Sequence, residues 1–440
     1  MVSIPPLLFL WLVSLFKANN GLTTTPNVII CGGGPGGLLT SILLNNIGIK
    51  STVLEEECGV DEWSSKSYSM SINERGKHAL DRGGCLESVV EVGNEKTCSY
   101  FVDGETGGIK RIPRKTDSST GISRPQLVEC IEQIATNLPH VTLRRGAGVS
   151  RVTQDNNKGV VGGLEVHLKD GTVISATNVI GADGKWSKVR TSFKSLNSQA
   201  NIVSCTGFGV LMFGESRPKG FENDDGTYLI FPPEESIHTD FYIIASPLTN
   251  GGMALAMICS DSITGRYPWL QPKAEPNPND IGKGGWKDDI GLEKLDTDDN
   301  SDDDTDLSDN LEKLFQEIVP AFHAVLDKNF FKSALLQRRA SWLQMSSAEE
   351  GKDVSYSTED GRVTLIGDAA HAMTPSMGEG GNCALESAVK LVDAVALTMK
   401  EKGETICTVN TLNEAFLKFG LSRPKEVQPI QEMSAARNNK

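Results

Sequence analysis

The sequence lacks the features that mark several common classes of protein. Its formal net charge is −14, and the absence of a basic excess argues against a nucleic-acid partner or an anionic membrane surface. Its 9 cysteines include no C-x-x-C pair and no metal-ligand spacing, so neither a metal site nor a disulfide framework is indicated. No Asn-x-Ser/Thr sequon occurs, which disfavours a long-lived secreted glycoprotein.

The N-terminus also lacks a long hydrophobic run. The apolar stretch from Ile4 to Phe16 is shorter than the roughly 20 residues of a membrane-spanning helix. It suits the central region of a signal peptide, although no Lys or Arg precedes it. We expect residues 1–22 to be a signal peptide, with a membrane anchor or a buried helix as alternatives. This expectation favours the secretory pathway, an organelle reached through it, or membrane attachment.

What the sequence does have is a glycine-rich motif between two short apolar runs. Asn27–Cys31 and Ser51–Leu54 predict buried strands, and an apolar helix ends near Asn46. The loop that joins the first strand to the helix contains Gly32, Gly34, Pro35, Gly36 and Gly37. This layout is a βαβ unit with the G-x-G-x-x-G spacing of a dinucleotide site.

Each residue of such a motif has a physical role. Gly32 permits the tight turn, Gly34 lets the backbone approach a pyrophosphate, and Gly37 lets the helix pack closely on the strand. The helix N-terminus offers N–H groups and a positive dipole end to the pyrophosphate. Glu55, at the end of the second strand, is placed to accept hydrogen bonds from a ribose hydroxyl. The motif by itself predicts a dinucleotide without specifying which one.

Further along, the chain alternates between helical and extended patterns. A helix is predicted from Ile72 to Leu80. The runs Leu164–Leu168 and Val173–Ala176 flank Lys169-Asp170-Gly171, which predicts a hairpin. After the last glycine-rich motif, the chain is predicted to form a helix over Leu412–Phe419 and a proline-interrupted segment over Arg423–Met433.

Ser123 and Pro125 flank Arg124 and predict a helix start with an N-cap. The segment Asn178–Arg190 carries a strand into a loop that contains Asp183, Gly184, Ser187 and Arg190. Between Ser204 and Cys259 the pattern is a run of strands, which predicts an antiparallel sheet in a second lobe.

Residues 271–310 differ in composition, beginning rich in Pro, Asn and Gly and ending rich in Asp. A calcium loop starting at Asp298 would need glycine at Asp303 and glutamate at Asp309, so specific calcium binding is disfavoured. The composition favours a solvated, disordered insertion instead.

The last motif is a second strand, glycine-rich loop and helix. The strand Val363–Ile366 leads into Gly367, Asp368 and His371, and a helix is predicted from about Cys383 to Lys400. The intervening loop contains Pro375, Gly380, Gly381 and Asn382. Asp368 can bind a polyol hydroxyl, and we interpret His371 as structural, not as a base.

These three motifs in this order resemble the FAD-dependent aromatic hydroxylases, which include p-hydroxybenzoate hydroxylase and kynurenine 3-monooxygenase. The resemblance extends from Asn27 to the C-terminus. SINERGKHAL and the strands of the second lobe look most like kynurenine hydroxylases. PSMGEGGN and Ile430 depart from their pattern where substrate would lie, so kynurenine itself is not implied.

The resemblance implies how the cofactor would be bound. The first motif would hold the ADP half of FAD, with Glu55 on its ribose, and Asp368 would bind the ribityl chain. Asp183, Gly184 and Arg190 would serve the FAD pyrophosphate and NAD(P)H. Backbone amides from Gly380 to Asn382 would face the pyrimidine edge of the flavin, and Arg124 would reach the cofactor. The sequence singles out no side-chain acid or base.

The resemblance also implies a fold and a reaction. The fold is an α/β, Rossmann-type FAD-binding fold of the glutathione-reductase type, with an antiparallel sheet as the substrate lobe. Residues 23–200 and 311–440 would form the FAD-binding lobe, and residues 201–270 the substrate-lobe sheet. NAD(P)H would reduce the flavin, and O₂ would react at C4a to give a hydroperoxide that hydroxylates a small, aromatic substrate.

Two other interpretations remain open. A related flavin epoxidase or reductase acting on an isoprenoid is compatible with the GEG sequence in Met377–Gly380, whereas no W-x-W-x-I-P halogenase pattern occurs. A non-catalytic flavin-binding protein, using the acidic insertion as an interaction surface, is the second.

Overall fold

The computed structural model describes residues 25–59, 68–114, 118–155, 163–204, 208–233, 241–259, 261–270, 307–336, 341–347 and 353–438. The expected signal segment and residues 271–306 of the expected insertion lie outside these ranges. The insertion was predicted to reach residue 310, but a helix already begins at Leu307.

The strands are β1 (Val28–Cys31), β2 (Ser51–Leu54), β3 (Ser69–Ile72), β4 (Asn94–Lys96), β5 (Cys98–Asp103), β6 (Ile109–Pro113), β7 (Ser119–Ser123), β8 (Val141–Arg144), β9 (Val149–Asp155), β10 (Gly163–Leu168), β11 (Val173–Ala176), β12 (Asn178–Gly181), β13 (Ala200–Ser204), β14 (Phe208–Gly214), β15 (Gly226–Phe231), β16 (Phe241–Pro247), β17 (Met253–Cys259), β18 (Leu335–Leu336), β19 (Ser341–Met345) and β20 (Val363–Leu365).

The α-helices are α1 (Pro35–Asn46), α2 (Glu74–Arg82), α3 (Leu86–Val92), α4 (Arg124–Ala135), α5 (Lys188–Ser192), α6 (Lys194–Asn197), α7 (Asp261–Arg266), α8 (Leu307–Ile318), α9 (Pro320–His323), α10 (Lys328–Lys332), α11 (Asp368–His371), α12 (Gly380–Glu401) and α13 (Val409–Asn438). None of the helices in the described ranges is long and apolar enough to cross a membrane.

The first lobe is built on a parallel sheet with strand order β20-β12-β1-β2-β8. Its central strand β1 is buried on both faces, as expected for a β-branched apolar run in a parallel sheet. Helices α1, α4 and α12 bury Leu38, Ile131 and Leu385 against one face. The β9–β11 sheet packs its Val152 and Val166 against the other. This three-layer arrangement confirms the predicted α/β class.

The second lobe is a seven-stranded sheet with order β18-β14-β17-β16-β15-β5-β6. Helices α8 to α10 cover one face with a cluster that includes Phe315, Phe322 and Phe331. The sheet is antiparallel except that β15 pairs with β5 in parallel. Strands β5 and β6 come from residues 98–113, far upstream of the other strands, so the chain passes between the lobes more than once.

Two local predictions were wrong. Ile72 was assigned to a helix, but it ends β3, and α2 begins at Glu74 after the N-cap Asn73. The C-terminal segment was predicted to be interrupted by proline, whereas α13 continues through Pro424 and Pro429. An interior proline costs a helix roughly 3 kcal/mol. Tertiary packing along the helix, which buries residues such as Arg423 and Val427, offsets that cost.

Candidate functional site

The glycine loop has the tight geometry that its sequence predicts. Gly32 has φ +110°, and a Cβ there would overlap the carbonyl oxygen of Ala182. A Cβ on Gly37 would overlap the carbonyl oxygen of Gly32 and lie 3.2 Å from the Ala182 side chain. Both positions therefore admit only glycine, and α1 packs directly on the end of β1.

Gly34 differs from Gly32 and Gly37, because the absence of a side chain there leaves the backbone of the loop open to a ligand. It is the N-cap of α1, with φ −71° and Pro35 as the first helical residue. The atom nearest to a Cβ at this position would be Arg124 Nη2, at 3.5 Å. The arginine side chain thus lies across the mouth of the loop, next to the end of the helix that favours anions.

Glu55 lies against the same loop from the end of β2. Its Oε2 accepts a hydrogen bond from Gly33 N at 2.6 Å, and its Oε1 accepts one from Glu57 N at 3.0 Å. A Cβ on Gly33 would be 2.9 Å from Glu55 Cβ. The carboxylate is therefore fixed beside the glycines, where the sequence placed a ribose ligand.

Arg124 extends from the N-terminus of α4 toward the glycine loop, and we call the region between this loop, Arg124 and Asp368 the cleft. Ser123 and Gln126 form a capping box there, so the helix start is well ordered. Arg124 N donates to the carbonyl oxygen of Tyr68 at 3.0 Å, but its guanidinium makes no hydrogen bond to a described residue. An arginine in that state is available to a phosphate or another electron-rich group.

Asp368 and Tyr68 share this cleft with Arg124. The Asp368 side chain is exposed to solvent, yet desolvation by the surrounding protein raises its pKa, while Lys185 and Arg124 act to lower it. Tyr68 is 43% exposed, and its pKa is raised by desolvation, lowered by Arg124 and raised by Asp368. Both groups are therefore open to solvent although protein atoms surround them. No motif in the sequence pointed to Tyr68.

The middle motif is largely satisfied within the protein. Asp183 Oδ1 accepts from Ser187 Oγ at 2.6 Å, and Oδ2 accepts from Lys188 N and Val189 N at 2.7 and 3.1 Å. Gly184 turns with φ +77° and has open space where a Cβ would point. Burial lowers the pKa of Arg190 to about 10 despite the nearby Asp183. These side chains order the loop that carries Gly184, and a cofactor contact of Asp183, Gly184 or Arg190 stays a prediction.

The third motif presents a helix N-terminus to the cleft. Gly367 turns with φ +58° and Asp368 opens α11. After a short 3₁₀ turn that begins at Pro375, α12 starts at Gly380. The N–H groups of Gly380, Gly381 and Asn382 donate to no described residue, as expected for the first turn of a helix. They form a ready site for an electron-rich edge.

Asn382 contributes its backbone to this site and its side chain to the scaffold. Its Oδ1 accepts from Asn73 N at 3.1 Å, and its Nδ2 donates to the carbonyl oxygens of Ser71 and Gly378 at 2.9 and 3.1 Å. A Cβ on Gly76 would overlap Asn382 Oδ1. The start of α12 is therefore locked onto β3 and α2, a connection that local sequence patterns do not reveal.

His371 is buried behind the cleft, in agreement with its structural interpretation. Its Nε2 lies 2.8 Å from Ser387 Oγ, and its Nδ1 has no partner within the described chain. Burial and the charge of Arg423 lower the pKa of His371 to about 3. The ring is thus held by a serine hydroxyl of α12.

Together these groups fit FAD. The loop from Gly32 to Gly37 leaves room for a pyrophosphate at Gly34, with the uncommitted Arg124 guanidinium beside it. With FAD in this orientation, Glu55 would lie at the adenosine end, Asp368 along the middle of the cofactor, and the free N–H groups of α12 at the other end. No group of three or more His, Cys, Asp or Glu residues in the described ranges could hold a metal ion, and the 8 cysteines described there are free thiols.

Comparison with known proteins agrees with this arrangement. Residues 25–274 and 327–407 match the model of the FAD binding domain family. An FAD-dependent monooxygenase of Trichoderma harzianum, thnD, is 24% identical over 402 residues, which cover 88% of this chain and 88% of that protein. Kynurenine 3-monooxygenase of Xanthomonas campestris is 43% identical over 75 residues, covering 17% of this chain and 14% of that protein.

A solved structure, that of CtdE in complex with FAD, has the same fold. Its TM-score is 0.68 at 16% identity, and the match covers 94% of this chain and 93% of that one. The family match extends over the glycine loop, the Asp183 motif and the Asp368 motif. The chain belongs to the FAD binding domain family, among the FAD-dependent monooxygenases.

Proposed function

We propose that the protein is an NAD(P)H-consuming hydroxylase of a small aromatic substrate. In the overall reaction one oxygen atom of O₂ enters a C–H bond of the substrate. The other oxygen atom leaves as water, with two electrons from NAD(P)H and one added proton. Bound FAD would supply the redox chemistry and the activation of O₂.

The observation that carries this proposal is the face of the second-lobe sheet turned away from helices α8 to α10. Strand register places Leu229, Ile244 and Ala256 side by side on that face, and Leu211 beside Ala256. The four central strands β14 to β17 put only apolar and hydroxyl-bearing side chains there within the described residues. Such a wall suits an apolar, planar substrate.

The near end of this sheet is fastened to the first lobe beside the cleft. Gln126 Nε2, from the capping box next to Arg124, donates to Thr249 Oγ1 at 2.8 Å. Asn94 Nδ2 donates to the carbonyl oxygen of Pro247 at 3.2 Å. These contacts support a substrate position between the apolar wall and the start of α12.

In this scheme the protein's own groups bind and orient the cofactor and the substrate, and they exclude water. The N–H groups of Gly380 to Asn382 would stabilise negative charge at the flavin edge, as preorganised donors do in a water-poor site. The apolar wall would keep water from the reacting atoms. No side-chain acid or base is assigned, because His371 is buried and already bonded to Ser387.

The test uses purified holoprotein with NADH or NADPH and a panel of aromatic and isoprenoid compounds, in ¹⁸O₂ and with catalase present. We expect one aromatic class to stimulate NAD(P)H oxidation and to give a product with one labelled oxygen atom. Substrate reduction without O₂ uptake would instead identify a reductase, and an epoxide product would identify an epoxidase. A flavin that no NAD(P)H concentration reduces would favour the non-catalytic alternative.

We also propose that the protein works in or facing a compartment with NAD(P)H, entered through the segment before residue 23. Imaging the full chain and a variant that lacks residues 2–22 in cells tests this proposal. The two proteins would show the same distribution if the segment carries no targeting signal.

A further inference from the structure

Glu379 is the N-cap of α12, yet its side chain does not cap that helix. A carboxylate at this position is drawn toward the free N–H groups of the first turn by hydrogen bonding and by the helix dipole. Such a cap would occupy donors of Gly380 to Asn382, which lie at the flavin end of the cleft. Something in the structure must therefore hold the carboxylate elsewhere.

Two residues of the neighbouring element hold it. Arg75 Nη2 donates to Glu379 Oε2 at 2.6 Å. Asn73 Nδ2 donates to Oε2 at 3.0 Å and to Oε1 at 3.2 Å. The side chains of Arg75 and Glu379 are 33% and 18% exposed, so the pair is less screened than a surface ion pair.

Arg75 is itself fixed by a second carboxylate. Its Nη1 lies 3.6 Å from Glu386 Oε2, and Glu386 lies about two helical turns beyond Glu379 on α12. The same oxygen accepts from Arg423 Nη2 at 2.7 Å, and Arg423 is 2% exposed. The guanidinium of Arg75 therefore spans two acidic residues of α12 and cannot follow Glu379 if that side chain moves.

We propose that Arg75 is a positioning residue that holds the Glu379 carboxylate away from the N-terminus of α12 and so keeps its N–H groups available to FAD. Without Arg75, Glu379 turns onto its own helix and competes with the flavin edge. The inference depends on FAD binding alone and not on the substrate or the nicotinamide proposed above.

Arg82 provides a matched control. It lies on the same helix α2 and pairs with Asp393 of the same helix α12, at 2.7 Å. That pair is remote from the first turn of α12, and both side chains are nearly half exposed. An Arg82→Met variant therefore removes one arginine–carboxylate pair between the two helices without releasing Glu379.

The experiment measures the dissociation constant of FAD by quenching of flavin fluorescence, and the reduction potential of the bound flavin. We expect Arg75→Met to weaken FAD binding about tenfold and to lower the potential, because a nearby carboxylate opposes added negative charge. The double variant Arg75→Met/Glu379→Gln should have an FAD dissociation constant within about twofold of that of the wild type. The single variants Glu379→Gln and Arg82→Met should likewise bind FAD no more than about twofold more weakly than the wild type does. Glu379→Asp should resemble Arg75→Met, since a shorter carboxylate loses Arg75 and caps helices well.

Equal FAD affinity in Arg75→Met and Arg82→Met would overturn the proposal. So would a double variant that binds FAD as weakly as Arg75→Met alone, since the loss would then not pass through Glu379. If Arg75→Met does not fold, Glu379→Asp decides the question, and wild-type affinity in that variant contradicts the proposal.

Discussion

Arg190 Nη1 donates a hydrogen bond to the carbonyl oxygen of Ala369 at 2.7 Å, although the two residues are 179 positions apart. Its Nη2 donates to the carbonyl oxygen of Lys185 at 2.6 Å. One buried side chain thus ties the middle motif to the segment that carries Asp368. The family resemblance implies a cofactor contact for Arg190, which stays a prediction; the hydrogen bonds that its guanidinium makes to described residues are with these two carbonyl groups.

Replacing Arg190 by Met should therefore act on stability before it acts on chemistry. One buried and one partly buried carbonyl oxygen would lose a donor, and we expect the free energy of unfolding to fall by about 2 kcal/mol. Urea denaturation measures it, with the exposed Arg151→Met as a control. A variant as stable as wild type but unable to bind FAD would show that Arg190 contacts the cofactor instead.

Gly34→Val should fold and yet lose FAD. The backbone at Gly34 has φ −71° and ψ 177°, which valine adopts readily. Among the atoms of the described residues, only Arg124 Nη2 lies within 4 Å of a Cβ at this position. The added side chain fills the approach to the loop. We expect wild-type melting of the apoprotein and largely colourless preparations, measured by calorimetry and flavin absorbance. Gly265→Val, in open space on α7, should stay yellow.

Asp368→Asn should weaken FAD binding without lowering the stability of the apoprotein at pH 7. Desolvation raises the pKa of Asp368 in the folded state, so the folded protein binds the proton more tightly than the unfolded chain does. The free energy of unfolding of the wild type therefore falls as the pH rises from the unfolded pKa through the folded one. At pH 7 the Asn variant lacks this penalty, and its apoprotein should melt no lower than wild type while it binds FAD more weakly. Melting curves at pH 4 and 7 test the sign.

His371 should make the protein labile to acid. Burial, with the charge of Arg423, lowers its pKa to about 3, whereas an unfolded histidine titrates near 6.5. Below that value the unfolded state binds the proton first, so the free energy of unfolding falls by up to about 1.4 kcal/mol per pH unit until about pH 3. His371→Gln should flatten this slope, and the exposed His78→Gln should not. Equal slopes in all three proteins would contradict the assignment.

Local patterns predicted the parts of the fold that local physics determines. The Gly32–Gly37 loop, the α4 cap at Ser123 and the β10–β11 hairpin all follow from backbone conformations that few residues accept. The apolar strand β1 was equally clear, since a parallel strand buried on both faces has no polar positions.

The contacts that complete the site were not predictable in this way. Asn382 depends on Gly76, and Glu379 depends on Arg75, but each pair is joined only by tertiary structure. Tyr68 carries no motif at all, and its position became apparent through its interactions with Arg124 and Asp368. Tertiary packing also decided the course of α13, where local propensity pointed to a break at Pro424.

The strand order of the parallel sheet has a consequence for how the protein is made. Its edge strand β20 and the helix α12 that covers β1 are synthesised after every other strand of the described ranges, although they pack against the first strand. A nascent chain that ends before Val363 has its glycine loop but neither Asp368 nor the donors of α12. Capture of the cofactor, and the stability that comes with it, would therefore wait until α12 has been synthesised, and the apolar strands made before it would remain open to aggregation until then.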